Sequence, residues 1–335
     1  MPRPADSDDI AYPQSDDSRV PRRRRPSGVT GCMAGLVLGL AGLAATRLGQ
    51  LWIAFDVFSN FTLQFAAVAL AFLIGLLMPR GRLMTASVLL VAGLTALGVW
   101  PHLASQSATA SVAAPGPGER ALQVASFNTL WVNDDAEAVR AEVARIDADV
   151  ILLIEMGPSK RSIPVALRER YPHQADCYEF AYCNFVVLSK IPIAESEAMG
   201  QWEGPPFIRV KLGKEAGGLT VFGVHTTRFP HSRAQFRQVA AIAARIEATP
   251  GRKLVMGDFN ATPFSRLLSG LESRATLTRL THLPSWPSYL GLPQLAIDHI
   301  FVSPGIRALG PPRIGEPAGS DHYPVMMPIA VPLRP

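Results

Sequence analysis

Two packed β-sheets flanked by helices, carried behind a hydrophobic anchor, form the α/β architecture that this 335-residue sequence predicts. Three observations lead there. The apolar excess behind a mean hydropathy of +0.18 is concentrated in residues 29–100. Beyond about residue 121 many short strand-like runs alternate with only a few helix-like ones. The ends of those strands repeatedly carry Asn, Asp, Glu or His.

The anchor comes first in the chain. Val29–Ala45, Phe61–Met78 and Thr85–Trp100 are almost uncharged, and each approaches the ~20 residues of a membrane-spanning helix. A basic segment before one apolar run reads as a cleaved signal peptide. Two further runs close behind favour a three-span anchor over residues 29–100, and Cys32 is misplaced for a lipoprotein cleavage site. Arg22 to Arg25 precede the first run and Arg80 and Arg82 separate the second from the third, whereas the other loop holds only Arg47, with Asp56. The positive-inside rule then puts the N-terminus in the cytoplasm and everything after Trp100 outside it. The third run, short and containing Gly93 and Gly98, is the weakest of the three, and without it the orientation inverts.

Residues 1–28, polar and rich in Asp, Ser, Pro and Arg, read as a disordered cytoplasmic tail. Residues 101–120, with "SQSATASVAAPGPGER" from Ser105 to Arg120, read as a flexible linker, and residues 121–335 as one globular domain. Its strands are expected at Gln123–Phe127, Val150–Ile154, Phe185–Leu188, Phe207–Leu212, Leu219–His225, Lys253–Met256, His299–Val302 and Val325–Ile329. Its helices are expected at Ala136–Ile146, Ser159–Arg170, Arg233–Glu247 and Ser265–Glu272.

Charge is informative once divided. Residues 1–118 hold nine of the 32 lysines and arginines and six of the 27 acidic residues, which leaves 23 against 21 for the outer domain. A net of +2 is no strongly basic nucleic-acid face. Cys177 and Cys183 flank a short loop in "DCYEFAYCNF". An oxidising compartment would let them form a disulfide, the favoured reading over two separately buried thiols. No zinc-type cysteine and histidine spacing and no internal repeat is present.

The strand ends carry the chemistry. Asn128 ends "LQVASFNTLW", Glu155 ends "ADVILLIEM", His225 ends "LTVFGVHTT", and Asp258 and Asn260 end "KLVMGDFN". Asp298 and His299 open "IDHIFVS", and Ser320, Asp321 and His322 precede "YPVMMPI". One charge where a strand meets water is ordinary; six such ends point to a ligand site. Asp258 and Asn260, two residues apart, can aim the same way, one at a nucleophile and one at a phosphate.

With these motifs, "GDFN" and "SDHYPV" above all, the stretch from about Leu122 to Ile329 resembles the endonuclease/exonuclease/phosphatase superfamily. That group includes pancreatic-type deoxyribonucleases, apurinic-site endonucleases, sphingomyelinases and inositol polyphosphate 5-phosphatases. The resemblance implies a four-layered α/β/β/α sandwich of two mixed sheets, preceded here by three transmembrane helices. The anchor before such a domain is similar to a bacterial membrane-bound subgroup that includes VanJ-type teicoplanin-resistance proteins. By resemblance, Glu155 is the principal divalent-metal ligand, Asn128 supports metal or phosphate, and Asp321 is an acidic residue near the metal. Asp258 orients or deprotonates the attacking water, Asn260 and His225 contact the phosphate, and Asp298 pairs with His322. Which histidine or aspartate moves the proton stays open.

The same residue types suit hydrolysis of a phosphate ester on physical grounds. A hard cation, Mg2+ or alternatively Mn2+, is held by one or two carboxylates and neutralises charge on the non-bridging oxygens. A His–Asp pair fixes a tautomer and stabilises imidazolium. The expected function is a membrane-anchored, metal-dependent phosphoesterase acting outside the cytoplasm on a lipid-linked or envelope phosphate. The alternatives are an extracytoplasmic nuclease on DNA or RNA, and a surface domain that only binds phosphate. No protein partner can be read.

Weaker candidates complete the set. Ser189 and Lys190 match a family strand-turn near the cleft, with a solvated turn as the plain reading. Arg228, Arg233 and Arg237 suit either an anionic leaving group or an exposed helix face. His173, His231 and His282 read as structural or surface residues, and Trp202, Trp286 and Tyr289 as packing residues that could line a lipid or base pocket.

Overall fold

Helices α1 (Gly28–Gly49), α2 (Asp56–Ser59), α3 (Thr62–Leu77) and α4 (Arg82–Ser107) form the N-terminal part of the computed structural model. It describes residues 27–78, 80–107, 113–180, 183–200 and 205–334. The expected tail, apart from its last two residues, and positions 108–112 of the expected linker lie outside the described residues.

The α1–α3 contact is built on glycine. Gly35, Gly39 and Gly42 face Phe72, Ala69 and Phe65 in turn, and a Cβ on Gly39 would lie 2.6 Å from the Ala69 amide nitrogen. Small residues at i, i+4 spacing let two apolar helices approach this closely. α1 and the Arg82–Pro101 part of α4 are long and apolar enough to cross a membrane. The segment between them is bent by 60° between Ile53–Ser59 and Thr62–Leu77, so the count is two, or up to three if the bent pair crosses as one. The irregular element is therefore the second run and not the third. Its polar bend, Asp56 to Asn60, is held by the globular domain, whereas Gly93 and Gly98 sit within one continuous helix.

The globular domain contains β1 (Glu119–Asn128), α5 (Ala136–Ile146), β2 (Val150–Ile154), α6 (Ile163–Ala166), β3 (His173–Asp176), β4 (Val186–Ser189), β5 (Ile193–Met199), β6 (Phe207–Leu212) and β7 (Thr220–His225). It continues with α7 (Ser232–Ala248), β8 (Lys253–Asp258), α8 (Arg266–Ala275), β9 (Thr278–Arg279), β10 (Asp298–Val302), β11 (Arg307–Ala308), β12 (Arg313–Ile314) and β13 (Val325–Pro332). One sheet runs β11-β13-β1-β2-β4-β3, with β12 also on β13, and the other β5-β6-β7-β8-β10-β9. Both are mixed: β1 is parallel to β2 and β7 to β8, and the other neighbours are antiparallel.

Alternation of side chains sets the layers. Val124, Leu152, Val221, Leu254, Met256 and Ile300 point between the sheets into one shared core. The opposite faces bury Phe127 and Leu153 against α5, and Phe222 and Val255 against α7 and α8. The result is the four-layered α/β/β/α sandwich. The helix expected over Ser159–Arg170 is instead a 3-10 turn, Pro158–Lys160, followed by the four residues of α6, because Pro158 and Pro164 each start a new turn. β5 was not predicted, since "IAESEAM" lacks an apolar stripe. As an edge strand it pairs by charge, with Glu195 to Lys211 at 3.0 Å and Glu197 to Arg209 at 2.8 Å. Cys177 and Cys183 are joined by a disulfide with a Cα–Cα distance of 5.5 Å.

Candidate active site

The period-two pattern that buries the inner core also places the polar strand ends. Asn128 lies on the face of Val124, His225 on that of Val221, Asp258 on that of Met256, and Asp298 on that of Ile300. Each inner face therefore ends, at one edge of the sandwich, in a polar residue. Register brings them level, with Asn128 opposite Ile154, His225 opposite Asp258, and Asp258 opposite Asp298. Glu155 follows directly after β2 in a left-handed conformation, φ 56°, an uncommon and mildly strained state for a non-glycine residue.

Asp258 is 1 % exposed and held by three donors. The Asn260 backbone N–H donates to Oδ1 at 2.8 Å, while Asn128 Nδ2 and Asn260 Nδ2 donate to Oδ2 at 3.1 and 3.2 Å. Glu155 accepts from Asn128 Nδ2 at 3.0 Å and from the Trp131 N–H at 2.8 Å. His225 Nε2 stands 3.5 Å from Glu155 and 3.7 Å from Asp258, and His322 Nε2 is also 3.7 Å from Asp258. His322 Nδ1 meets Asp298 Oδ2 at 2.8 Å, and the same oxygen accepts from Ser285 Oγ at 2.6 Å. Asp321 accepts from Trp286 Nε1 at 2.9 Å. Ser320 Oγ donates to the Asn128 carbonyl at 2.7 Å and accepts from the His322 N–H at 3.0 Å, which ties "SDH" to the end of β1.

These distances tune the groups. Burial, followed by the Asp298 charge, pushes the Asp258 carboxyl above the usual range despite its imidazole neighbours. Burial works against a charged His322, but Asp298, Asp258 and Asp321 outweigh it and raise its pKa, so the ring favours imidazolium. Burial also acts to raise Glu155, yet His225, the Trp131 N–H and Asn128 more than offset it, and its pKa is lowered.

All eight residues expected at the site meet at this edge. In the two asparagines the Nδ2 donor already has partners. Asn128 offers Nδ2 to the carboxylates while its Oδ1 accepts from the Leu130 N–H at 3.0 Å. Asn260 donates from Nδ2 to the Thr226 carbonyl at 3.0 Å as well as to Asp258, so contact with a phosphoryl oxygen requires an exchange of partners. Ser189 and Lys190 are elsewhere: Ser189 pairs with Val150 at the far end of β2, and Lys190 pairs with Asp147 at 2.7 Å. Arg228 and His231 line the cleft, whereas Arg233 and Arg237 are exposed on α7. His299 points away from the site, among Phe259 and Phe301. Trp202 lies outside the described residues. Ser285, the buried support of Asp298, was missed because a serine in a proline-rich loop has no local signature. Trp286 was considered only as a packing or pocket residue, but it both lines the cleft and holds Asp321.

The donor set fits a hard divalent cation. Glu155, Asp258 and Asp321 line one cleft with Asp298 behind His322, and Asp298 Oδ1 and Asp321 Oδ1 are buried without a hydrogen-bond partner. Ligand atoms of Asp258, Asp298 and His322 all lie within 4.8 Å of one another, although the His322–Asp298 hydrogen bond already closes that trio.

A four-layered sandwich whose two parallel strand pairs end in a carboxylate- and imidazole-lined cleft defines a DNase I-like hydrolase fold. Residues 125–322 match the model of the Endonuclease/Exonuclease/phosphatase family, and the chain belongs to that family, whose members hydrolyse phosphate esters. Its fold is similar to that of sphingomyelinase C from Streptomyces griseocarneus (20 % identity, TM-score 0.50, 62 % of this chain and 99 % of that one). It is also similar to a humanized D. rerio TDP2 (15 %, 0.51, 62 % and 98 %) and a family protein from Bacteroides thetaiotaomicron (14 %, 0.50, 64 % and 98 %). A comparison with curated proteins finds no match.

Proposed function

We propose that this chain is a membrane-anchored, metal-dependent phosphoesterase that hydrolyses a lipid-linked or envelope phosphate ester on the extracytoplasmic side. One observation carries the substrate class: the cleft opens beside the anchor. Phe61, at the start of α3, meets Phe229 edge-on at 5.7 Å, and Phe229 meets Trp286 of the cleft wall at 6.4 Å. A phosphate carried on a lipid reaches such a cleft without leaving the bilayer surface.

Glu155 and Asp321, with Asn128 beside them, would hold Mg2+ or Mn2+, which when bound neutralises charge on the phosphoryl oxygens. Asp258, fixed by Asn128 and Asn260, orients the attacking water and draws its proton. His322, kept as imidazolium by Asp298, faces the same space through Nε2 and donates to the oxygen that gains charge or leaves. His225 contacts a phosphoryl oxygen from the other side, and Arg228 at the rim adds positive charge.

The test uses the purified full chain with Mg2+, then with chelator, on polyprenyl phosphates and pyrophosphates, phospholipids, and single- and double-stranded DNA. Chelator-sensitive turnover of a lipid phosphate, absent in Asp258→Ala, is expected. Cleavage of DNA with no turnover of any lipid phosphate would replace this reading with a nuclease.

A further inference from the structure

A cavity of about 560 Å³ lies between the anchor and the catalytic domain, outside the chemistry described above. Small-molecule sites occupy roughly 300–1,000 Å³. One wall is anchor, with Ala96, Leu97 and Trp100 of α4; the other is catalytic domain, with Phe264, Leu283 and Pro284. Trp100 is 70 % exposed and Ala96 is exposed too, so an apolar surface is left open where α4 meets the domain. Hydrogen bonds fix the two walls: Gln64 Nε2 donates to the Gln294 carbonyl and Gln294 Nε2 to the Leu94 carbonyl, each at 3.2 Å.

The cavity and the catalytic cleft are lined by near neighbours in the chain. Asn260 lines the cleft and Thr262 the cavity; Trp286 lines the cleft and Pro284 the cavity; Ile297 lines the cleft and Ala296 the cavity. The same three chain segments thus carry residues of both spaces, the cleft with the reacting groups and the apolar cavity that borders the anchor. The side-chain oxygens of Gln64 and Gln294 are buried there without a donor. They offer two acceptors to a polar group at the neck of a ligand whose remainder is apolar.

We infer that this cavity receives the hydrocarbon chain of a phosphate-bearing lipid whose headgroup sits in the Asp258–His322 cleft. The assignment rests on the lipid-phosphate reading above and adds the site that recognises the chain. Each methylene buried there favours binding by about fourfold.

The experiment places the full chain in phosphatidylcholine nanodiscs with Mg2+ and measures kcat/KM for a short-chain soluble and a long-chain lipid phosphate sharing one headgroup. The expected result is a strong preference for the long chain. Ala96→Trp, which fills the cavity from its rim, should cut the long-to-short ratio at least tenfold. Val88→Trp, exposed on the same helix and away from the cavity, should leave the ratio unchanged. If Ala96→Trp abolishes turnover of both substrates, Gly93→Val decides, because a Cβ there meets only Ala67, at 3.8 Å. An unchanged ratio in the cavity variants, or an equal fall in Val88→Trp, overturns the chain site while leaving the phosphoesterase reading intact; the second result would mark a general bilayer effect. Failure of the wild type to turn over either lipid phosphate while it cleaves DNA overturns both.

Discussion

Asp258 is an expensive residue to keep. Its carboxyl is buried, lies near Asp298, and is pushed above its usual range, so the folded protein loses free energy by holding it ionised. Asp258→Asn keeps the shape and removes the charge. Turnover should fall by about 10²- to 10⁴-fold, the usual contribution of a positioned acid or base. Scanning calorimetry shows whether the variant still folds, because its amide cannot accept from all three donors that hold the carboxylate. The glycine beside it is constrained by space: Gly257 has φ 149°, and a Cβ would lie 1.9 Å from the Val224 carbonyl oxygen. Gly257→Ala should therefore break the β7–β8 register and with it both activity and stability. His299 shows a different cost. Its Nε2 meets the Ala261 carbonyl at 2.8 Å, Nδ1 is buried unpartnered, and burial lowers its pKa to about 4. The unfolded chain takes up this proton near the ordinary value of about 6.5 and the folded chain does not. Stability should be unaffected above that pH and fall by about 3 kcal/mol between pH ~6.5 and ~4. His299→Leu should flatten that part of a melting-temperature profile against pH.

Between elements, a buried contact joins the N-terminal helices to α8. Ser265 caps α8 by accepting from the Leu267 N–H, and Asp56 in the bend before α3 accepts from Ser265 Oγ at 2.5 Å and from the Arg266 N–H at 3.0 Å. Asn60 Oδ1 accepts from the Thr262 N–H at 2.8 Å. A carboxylate at a helix N-terminus offsets the unpaired amides and the positive end of the helix dipole. Asp56→Ala should cost about 1 kcal/mol of local stability. The readout is faster hydrogen exchange at the first turn of α8, with β1 and β2 unchanged. None of this was legible in the sequence, because more than 200 residues separate Asp56 from Ser265 and no local pattern links them. The elements themselves were far more legible. α5, β2 and β6 fall where their periodicity places them, since each has one clear burial pattern. β5 escaped because an edge strand needs no apolar stripe. Asn128, His225, Asp258 and Asp298 could be read because strand alternation carries a polar residue from an apolar face straight to the mouth of the sandwich, whereas Glu155, Asn260, Asp321 and His322, in the adjoining turns, were legible through the motifs that carry the family resemblance. Ser285 could not, since its role depends on a loop folding back onto Asp298.

At the scale of the whole molecule, the helices give the chain two ends. Gln50 donates to the Phe264 carbonyl at 3.3 Å, which puts the C-terminal end of α1 at the catalytic domain. The start of α3 is there through Gln64, and the C-terminal half of α4 through Leu94. Gly28 lies against Arg82 at the opposite end, so the start of α1 and the α3–α4 loop share one level. Arg82 sits at that far end and Arg80 just before it, while the catalytic domain, with its disulfide, occupies the other. If the apolar helices lie in a bilayer, the basic loop faces the cytoplasm and the cleft faces away from it. The prediction can be checked in intact bacterial cells with a membrane-impermeant maleimide and single added cysteines. Tyr289→Cys, at a site 70 % exposed on the catalytic domain, should label before lysis. Arg80→Cys should label only after the membrane is opened. Cys32 is buried in α1, and Cys177 and Cys183 are bonded to each other, so the native cysteines contribute little background. The reverse pattern would put the cleft in the cytoplasm, among nucleotides and nucleic acids. It would remove the argument for an envelope substrate while leaving the geometry of Asp258, His322 and Glu155 as it stands.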